Sequence, residues 1–348
     1  MTWAENERIL AQPSGDGEAK RGVTGVKVVA FGGGHGLSAT LRALRALRGA
    51  ATGDVEITAV VTVADDGGSS GRLRVDRGCL PPGDLRQALT ALAAADDGSS
   101  LSGRLFQYRF PGTDALAGHA VGNLVLVGLL ELLDDPVVAL DHAAQMLRTE
   151  GRVLPMSRVP LGIEAEVTGA DPAEPEQTSV VRGQHEVAVT TGRVRQVRVT
   201  PDEPPACAEA IAAVAGADWL LFGPGSWYTS VIPHLLVPEL AAAISASPAR
   251  RLVILNLAEE TETAGLSLAD HLRALSDHVT KLHVDIVLAD GMAVADPEPV
   301  RVAAESLGAR LVLAPVAEAG ASPRHDPALL AAALQSILGP VSGPDNPR

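Results

Sequence analysis

A nearly unbroken apolar run, Val26-Lys27-Val28-Val29-Ala30-Phe31, passes directly into Gly32-Gly33-Gly34-His35-Gly36. From Leu37 to Leu47 the apolar residues then recur at helical spacing, with Arg42, Arg45 and Arg48 on another face. Strand, glycine turn and helix in that order form the first half of a doubly wound unit. Ile57 to Val63 is the next strand, about one βα period later, and it ends at Ala64-Asp65-Asp66-Gly67-Gly68-Ser69-Ser70-Gly71. The pattern predicts an α/β chain with a Rossmann-like, doubly wound, mainly parallel sheet.

Beyond this start, helices are expected over Asp84 to Ala95, Asn123 to Leu133, Val137 to Leu147 and Ala206 to Ala215. Strands are expected at Trp219 to Phe222, Leu252 to Leu255 and Val284 to Leu288, and Asp326 is placed to cap a last helix from Pro327 to Leu338. Between about 161 and 199, short β-rich runs (Glu164 to Val167, Glu186 to Thr190, Val194 to Val199) alternate with Gly and Pro clusters. We read this stretch as a β insertion in one domain spanning 25–340. Residues 1–24 and 341–348 read as loose tails, because they lack periodicity and apolar anchors.

Charge narrows the partners. Lys and Arg total 28 against 42 Asp and Glu, a net charge of −14. So acidic a surface argues against nucleic acid or an anionic membrane as the main partner. A polyanionic ligand would have to be held locally, by backbone dipoles and a few arginines. Two cysteines, Cys79 and Cys207, cannot found a disulfide framework. The apolar stretch from Val121 to Leu133 is too short to span a bilayer and is broken by Asn123 and Glu131. A cytoplasmic location without membrane insertion is the expectation.

Three loops are suited to phosphate. In Phe31 to Ser38 the glycines would let the backbone approach a ligand, and the following helix offers unpaired N–H groups and a positive dipole end. The spacing is neither G-x-G-x-x-G nor a P-loop, and a tight turn without a ligand would look the same. In Asp65 to Gly71 the serines and N–H groups could hold phosphate. Asp65 and Asp66 could orient a divalent cation or a ribose hydroxyl, or the segment could be a plain polar turn. Gly223-Pro224-Gly225-Ser226 follows a strand and supplies a hydroxyl where helix N–H groups point. Asp84 in Pro81-Pro82-Gly83-Asp84-Leu85-Arg86 is placed as a helix N-cap. His119 and Asn123 in Gly118-His119-Ala120-Val121-Gly122-Asn123 read equally as ligand contacts or as structural polar groups. The nine histidines show no metal-ligand spacing, and His142, His271 and His278 fall on expected helices.

Taken together, FGGGHGLS, ADDGGSSGRLR, PPGDLRQAL, GHAVGN, LRTEGRVLPMS, LLFGPGSWYTSVIPHLLVPEL and RHDP, in this order, resemble the YvcK-type gluconeogenesis-factor family. That family belongs to the superfamily of the CofD-type 2-phospho-lactate transferases. The resemblance runs from about Val26 to Leu338. It implies a Rossmann-like core, a bound UDP-sugar (UDP-N-acetylglucosamine above all) with no required cofactor, and a role linking carbon status to cell-wall synthesis and cell shape. It leaves room for a homo-oligomer and for cell-wall regulatory proteins as partners. Carried over residue by residue, it implies ligand-binding roles for Gly33, Gly34, His35 and Gly36, for Asp65, Asp66, Gly68, Ser69 and Ser70, for Asn123, for Gly223, Gly225 and Ser226, for Asn256, and for Arg324. It implies neither a catalytic residue nor a metal site.

One segment departs from the family. Where it commonly reads N-x-M-T-Q-P-G-E-T, this chain has Asn256-Leu257-Ala258-Glu259-Glu260-Thr261-Glu262-Thr263. The alternative function is a transferase moving a phosphorylated C3 unit from a nucleotide donor, with Mg²⁺ held by Asp65 or Asp66. A dehydrogenase is disfavoured by the glycine spacing.

Overall fold

The computed structural model describes residues 25–48, 54–94, 101–171, 173–258, 261–263, 265–278, 282–320 and 323–339. Both expected tails lie outside the described residues. Ten strands are present among them: β1 Val26–Gly32, β2 Val55–Val61, β3 Arg152–Pro155, β4 Gly162–Thr168, β5 Thr178–Arg182, β6 Arg193–Thr200, β7 Trp219–Phe222, β8 Arg250–Ile254, β9 Ile286–Asp290 and β10 Arg310–Ala314. The first helices are α1 Gly34–Ala46, α2 Gly68–Arg77, α3 Pro82–Leu92, α4 Leu101–Gln107, α5 Val121–Leu133 and α6 Pro136–Leu147.

Seven strands form one sheet in the order β10-β9-β8-β7-β1-β2-β3. Every pairing in it is parallel. This is the expected doubly wound, Rossmann-like fold. Parallel strands covered on both faces must be apolar on both faces, and the fully buried Val29, Ala30, Phe31, Ala59, Val60 and Val61 meet that demand. The chain steps outward from β1 to β2 and β3, returns to β7 on the other flank of β1, and steps outward again to β10. The order therefore reverses between β1 and β7. Their pairing sets Val28 beside Trp219 and Phe31 beside Phe222, whose rings stack with centroids 4.9 Å apart. A crevice opens outside the carboxyl ends of strands at such a reversal, and ligands bind there.

The β insertion is a three-stranded antiparallel sheet, β5-β4-β6. Along β4, buried Ile163, Ala165 and Val167 alternate with half-buried residues, and these apolar residues join the main core cluster. One expected strand is absent. Residues expected as a strand at Glu186 to Thr190 fall instead largely in a helical turn, Gln184–Ala188. Gly183 turns the chain at φ +102°, and Asp66 caps the turn by accepting N–H bonds from Gln184 and His185 at 2.9 and 2.8 Å. The capping carboxylate is more than 110 residues away in sequence, so no local pattern announces it.

Two further expectations change. The Asp65 to Gly71 stretch is a loop only as far as Gly67, and α2 begins at Gly68. Its sequence, GSSGRLRVDR, carries almost no apolar face, which hides the helix from periodicity. Asp84 is not an N-cap. That position is Pro81, and Asp84 lies in the first turn of α3. The expected cap at Asp326 is present, with its side chain accepting from Ala328 and Leu329 N–H. Among the described residues no single helix is long and apolar enough to cross a membrane.

Candidate ligand cleft

The first glycine loop is tight because protein packs around it. Helix α1 starts at Gly34, with Gly33 at the cap position and no capping side chain. A Cβ on Gly33 would lie 2.4 Å from Asp84 Oδ2, and one on Gly36 would lie 2.2 Å from the Pro224 carbonyl oxygen. Gly34 has φ +57°, with nothing nearer to its Cβ position than Asp84 Oδ1 at 4.0 Å. Its requirement is conformational, and its side faces open space.

The third loop presses on the first. Gly223 (φ +78°) has no room for a Cβ beside the Ile254 carbonyl oxygen at 2.8 Å. Gly225 is clamped by Asn256. Its N–H donates to Asn256 Oδ1 at 2.8 Å, and Asn256 Nδ2 donates to its carbonyl at 3.0 Å. The Ser226 carbonyl accepts from Ser230 and Val231 N–H, closing the next turn. Asn256 thus acts on this turn as well as on the cleft it lines.

Between these loops lies a cleft of about 430 Å³. His35, Gly36, Gly225, Asn256 and Arg324, all expected ligand residues, line it together with Arg42, Arg86 and Arg109. Among the described residues, Glu318 is the one acid on its wall. His35 has its pKa lowered, first by burial and then by the charges of Arg324, Arg42 and Arg86. A neutral imidazole ringed by guanidiniums suits an anion, with hydrogen bonding available from the ring. Arg324 arrives from the far end of the chain on a loop pinned by Asp290 at the end of β9. Burial pushes the Asp290 carboxyl up, but the N–H groups of Val316, Met292, Ala293 and Ala317 hold it below its usual range. Val316 and Ala317 lead into the turn where Glu318 N–H donates to the Arg324 carbonyl at 2.8 Å.

A second hollow of about 460 Å³ adjoins the cleft through Arg86, Gln87 and Arg109. Asp65, Gly68, Ser69, Ser70 and Asn123 line it. A buried relay organises its floor. Arg86 Nε donates to Asn123 Oδ1 at 2.8 Å, Asn123 Nδ2 donates to Ser69 Oγ at 2.9 Å, and Ser69 Oγ meets His119 Nδ1 at 2.9 Å. Because Arg86 can only donate, the Asn123 amide has one orientation. A Cβ on Gly122 would lie 2.9 Å from the Arg86 side chain, so the glycine before Asn123 makes room for the relay. Burial lowers the His119 pKa, with Arg72 the next cause.

Two carboxylates meet between the loops. Asp84 accepts the Gly34 N–H, and its pKa is pushed up to about 7, by burial first and by the Asp65 charge second. Asp65 Oδ1 accepts the Gly67 N–H at 3.0 Å. Asp66, expected beside Asp65 at the ligand, instead spends its carboxylate on the insertion, as described above. Residues 259 and 260 of the departing segment lie outside the described residues. Glu262, which matches the family, is buried and accepts the Tyr228 N–H at 2.9 Å.

Arg42, Arg86, Arg109, Asp84 and Asp290 carry no sequence signal that marks them as site residues. Arg42 reads as one of a solvent-facing arginine stripe, and Arg86 sits unremarked in PPGDLRQAL. Only the packing of α1, α3 and the segment after α4 brings the arginines together. Among the described residues, no group of three or more His, Cys, Asp or Glu is arranged to hold a metal.

The family model for 2-phospho-L-lactate transferase CofD matches residues 28–313. A relative from Mycobacterium tuberculosis is 49% identical over 324 residues, covering 92% of each chain. The chain belongs to the CofD-like gluconeogenesis-factor family. Another family member, the gluconeogenesis factor of Halalkalibacterium halodurans, is 38% identical over 279 residues, covering 80% of this chain and 81% of that one. The crystal structure of a UPF0052 member from Bacillus halodurans superposes with a TM-score of 0.78 at 34% identity, covering 90% of this chain and 99% of that one.

Proposed function

We propose that the arginine-lined cleft binds a UDP-sugar, foremost UDP-N-acetylglucosamine, and that the protein is a cytoplasmic regulatory factor of cell-wall homeostasis and cell shape under gluconeogenic growth. The observation that carries this reading is the gathering of Arg42, Arg86, Arg109 and Arg324 at the strand-order reversal. In a chain of net charge −14, four guanidiniums on one cleft, with a single acid opposite among the described residues, favour an anionic occupant. Beyond Gly34, whose N–H Asp84 accepts, the start of α1 adds N–H donors of the kind that hold phosphate. The relatives named gluconeogenesis factors support a factor role. Calorimetry with UDP-N-acetylglucosamine, GDP and NAD, with and without EDTA, tests it. The expected result is metal-independent binding of the UDP-sugar and none of NAD. Tight NAD binding without UDP-sugar binding would overturn it.

A second reading is a transferase of a phosphorylated C3 unit, and the Asp65–Asp84 pair favours it. There Mg²⁺ would sit against Asp65 and Asp84 rather than Asp66 and supply charge neutralisation at phosphate. With no third protein ligand among the described residues, water and phosphate oxygens would complete its shell. Metal-dependent product formation lost in Asp65→Asn would establish this reading.

A further inference from the structure

We infer that the hollow at the start of α2 is a second anion site, which takes the phosphate group of a small second ligand while the nucleotide diphosphate occupies the neighbouring cleft. The inference rests on the proposed function for the cleft itself. Its first ground is charge. Arg72, Arg86 and Arg109 all line the hollow, and among the described residues none of them is ion-paired. Arg72 and Arg109 are aimed by carbonyls at the rim, with Arg72 Nη2 donating to Ala117 at 2.8 Å and Arg109 Nη1 to Gly118 at 2.9 Å. Among the described residues Asp65 is the one acid on the wall, so the balance there stays positive.

The second ground is an unused donor. Ser70 is only 3% exposed and lines the hollow, yet among the described residues its hydroxyl has no hydrogen-bond partner. The hydroxyl oxygen itself is open to the hollow, where an entering oxygen can take it up. Ser69, its neighbour, is satisfied by the relay to Asn123 and His119. Ser70 stands at the third position of a ten-residue helix whose cap, Gly67, contributes no side chain. A phosphate oxygen there would meet the hydroxyl, the first-turn N–H groups and the guanidiniums.

The third ground is separation. The cleft and the hollow share Arg86, Gln87 and Arg109 but have different ends. Arg42, His35 and Arg324 belong to the cleft alone, and Ser70 and Arg72 to the hollow alone. Two anionic groups can therefore lie on either side of Arg86.

The test is a calorimetric titration of inorganic phosphate, and in parallel of glycerol phosphate, at constant ionic strength. Each is added to the full chain with and without saturating UDP-N-acetylglucosamine. Saturable binding of one equivalent to the nucleotide-saturated protein is expected, weakened about tenfold or more in Ser70→Ala and in Arg72→Ala. Tighter binding of glycerol phosphate than of inorganic phosphate would identify a phosphorylated metabolite as the source of the group. Phosphate that only competes with the nucleotide, or binds equally to both variants, overturns the second site. Failure of the UDP-sugar to bind, with Ser70-dependent phosphate binding intact, would remove the proposed function of the cleft and leave the anion site standing.

Discussion

The glycine loops after β1 and β2 are alike in composition and differ in what they do. After β1 the glycines are crowded by protein. Gly33 lies against Asp84 and Gly36 against Pro224, and only Gly34 faces open space. After β2 the crowding is confined to Gly71, packed on the Asp66 carbonyl, and Gly68 at the start of the helix has nothing within 4 Å of its Cβ position. Side chains do the organising there: Asp65 turns onto Gly67, Asp66 caps the insertion, and Ser69 joins Asn123, Arg86 and His119. One loop is a backbone cradle held by close packing, and the other is a polar framework.

Adding one methyl group to each loop separates the two most sharply. Gly36→Ala drives a Cβ into the Pro224 carbonyl and is expected to lower the unfolding free energy by about 3 kcal/mol, the upper range for overpacking. Gly68→Ala meets no atom and bears only the strain of φ +47°, about 1 kcal/mol. Urea denaturation of both variants checks this, and equal losses would dissolve the distinction.

The polar framework breaks by a different change. Asn123→Leu leaves the Arg86 Nε and Ser69 Oγ without their buried partner, at about 2 kcal/mol of stability. His119→Gln keeps a polar partner for Ser69 and is expected to lose less than half as much, again read by urea denaturation.

These contrasts show what the sequence could reveal. Val26 to Phe31 and Trp219 to Phe222 are strands because continuous apolar runs bounded by glycines have few other folds open to them. Helix α2 was hidden because its stability comes from tertiary contacts and not from an apolar stripe. Asp66 looked like a partner of Asp65, since adjacency in sequence says nothing about which way two carboxylates turn. The arginines were the hardest to read. Each is unexceptional where it stands, and their meaning lies in a convergence of segments some 280 residues apart.

The carboxylate between the loops gives a pH signature. Asp84 has a folded pKa near 7, above its unfolded value of about 3.9. Its contribution to stability is fully present below about pH 4 and is lost as pH rises through about 7. Asp84→Asn, which keeps an acceptor for the Gly34 N–H, should therefore nearly match the wild type near pH 4 and exceed it at pH 8 by up to about 4 kcal/mol. A constant difference across that range would contradict the raised pKa.

The smallest effect concerns Asp66. Asp66→Asn leaves one of the Gln184 and His185 N–H groups without its acceptor oxygen, and about 1 kcal/mol of stability should go with it. Ligand affinity should stay the same within error, because the side chain faces the insertion and not the cleft. A clear loss of affinity would return Asp66 to the site.

The central claim is that the arginines at the strand-order reversal hold an anionic nucleotide ligand. Calorimetric titration of UDP-N-acetylglucosamine into the wild type and into Arg42→Ala/Arg324→Ala tests it most directly. Neither side chain makes an ion pair among the described residues, so the double variant should keep its melting temperature. Its affinity should fall about a hundredfold, ~2.7 kcal/mol, and the wild-type affinity should weaken with rising salt. Equal affinity in the two proteins would contradict the assignment of the cleft.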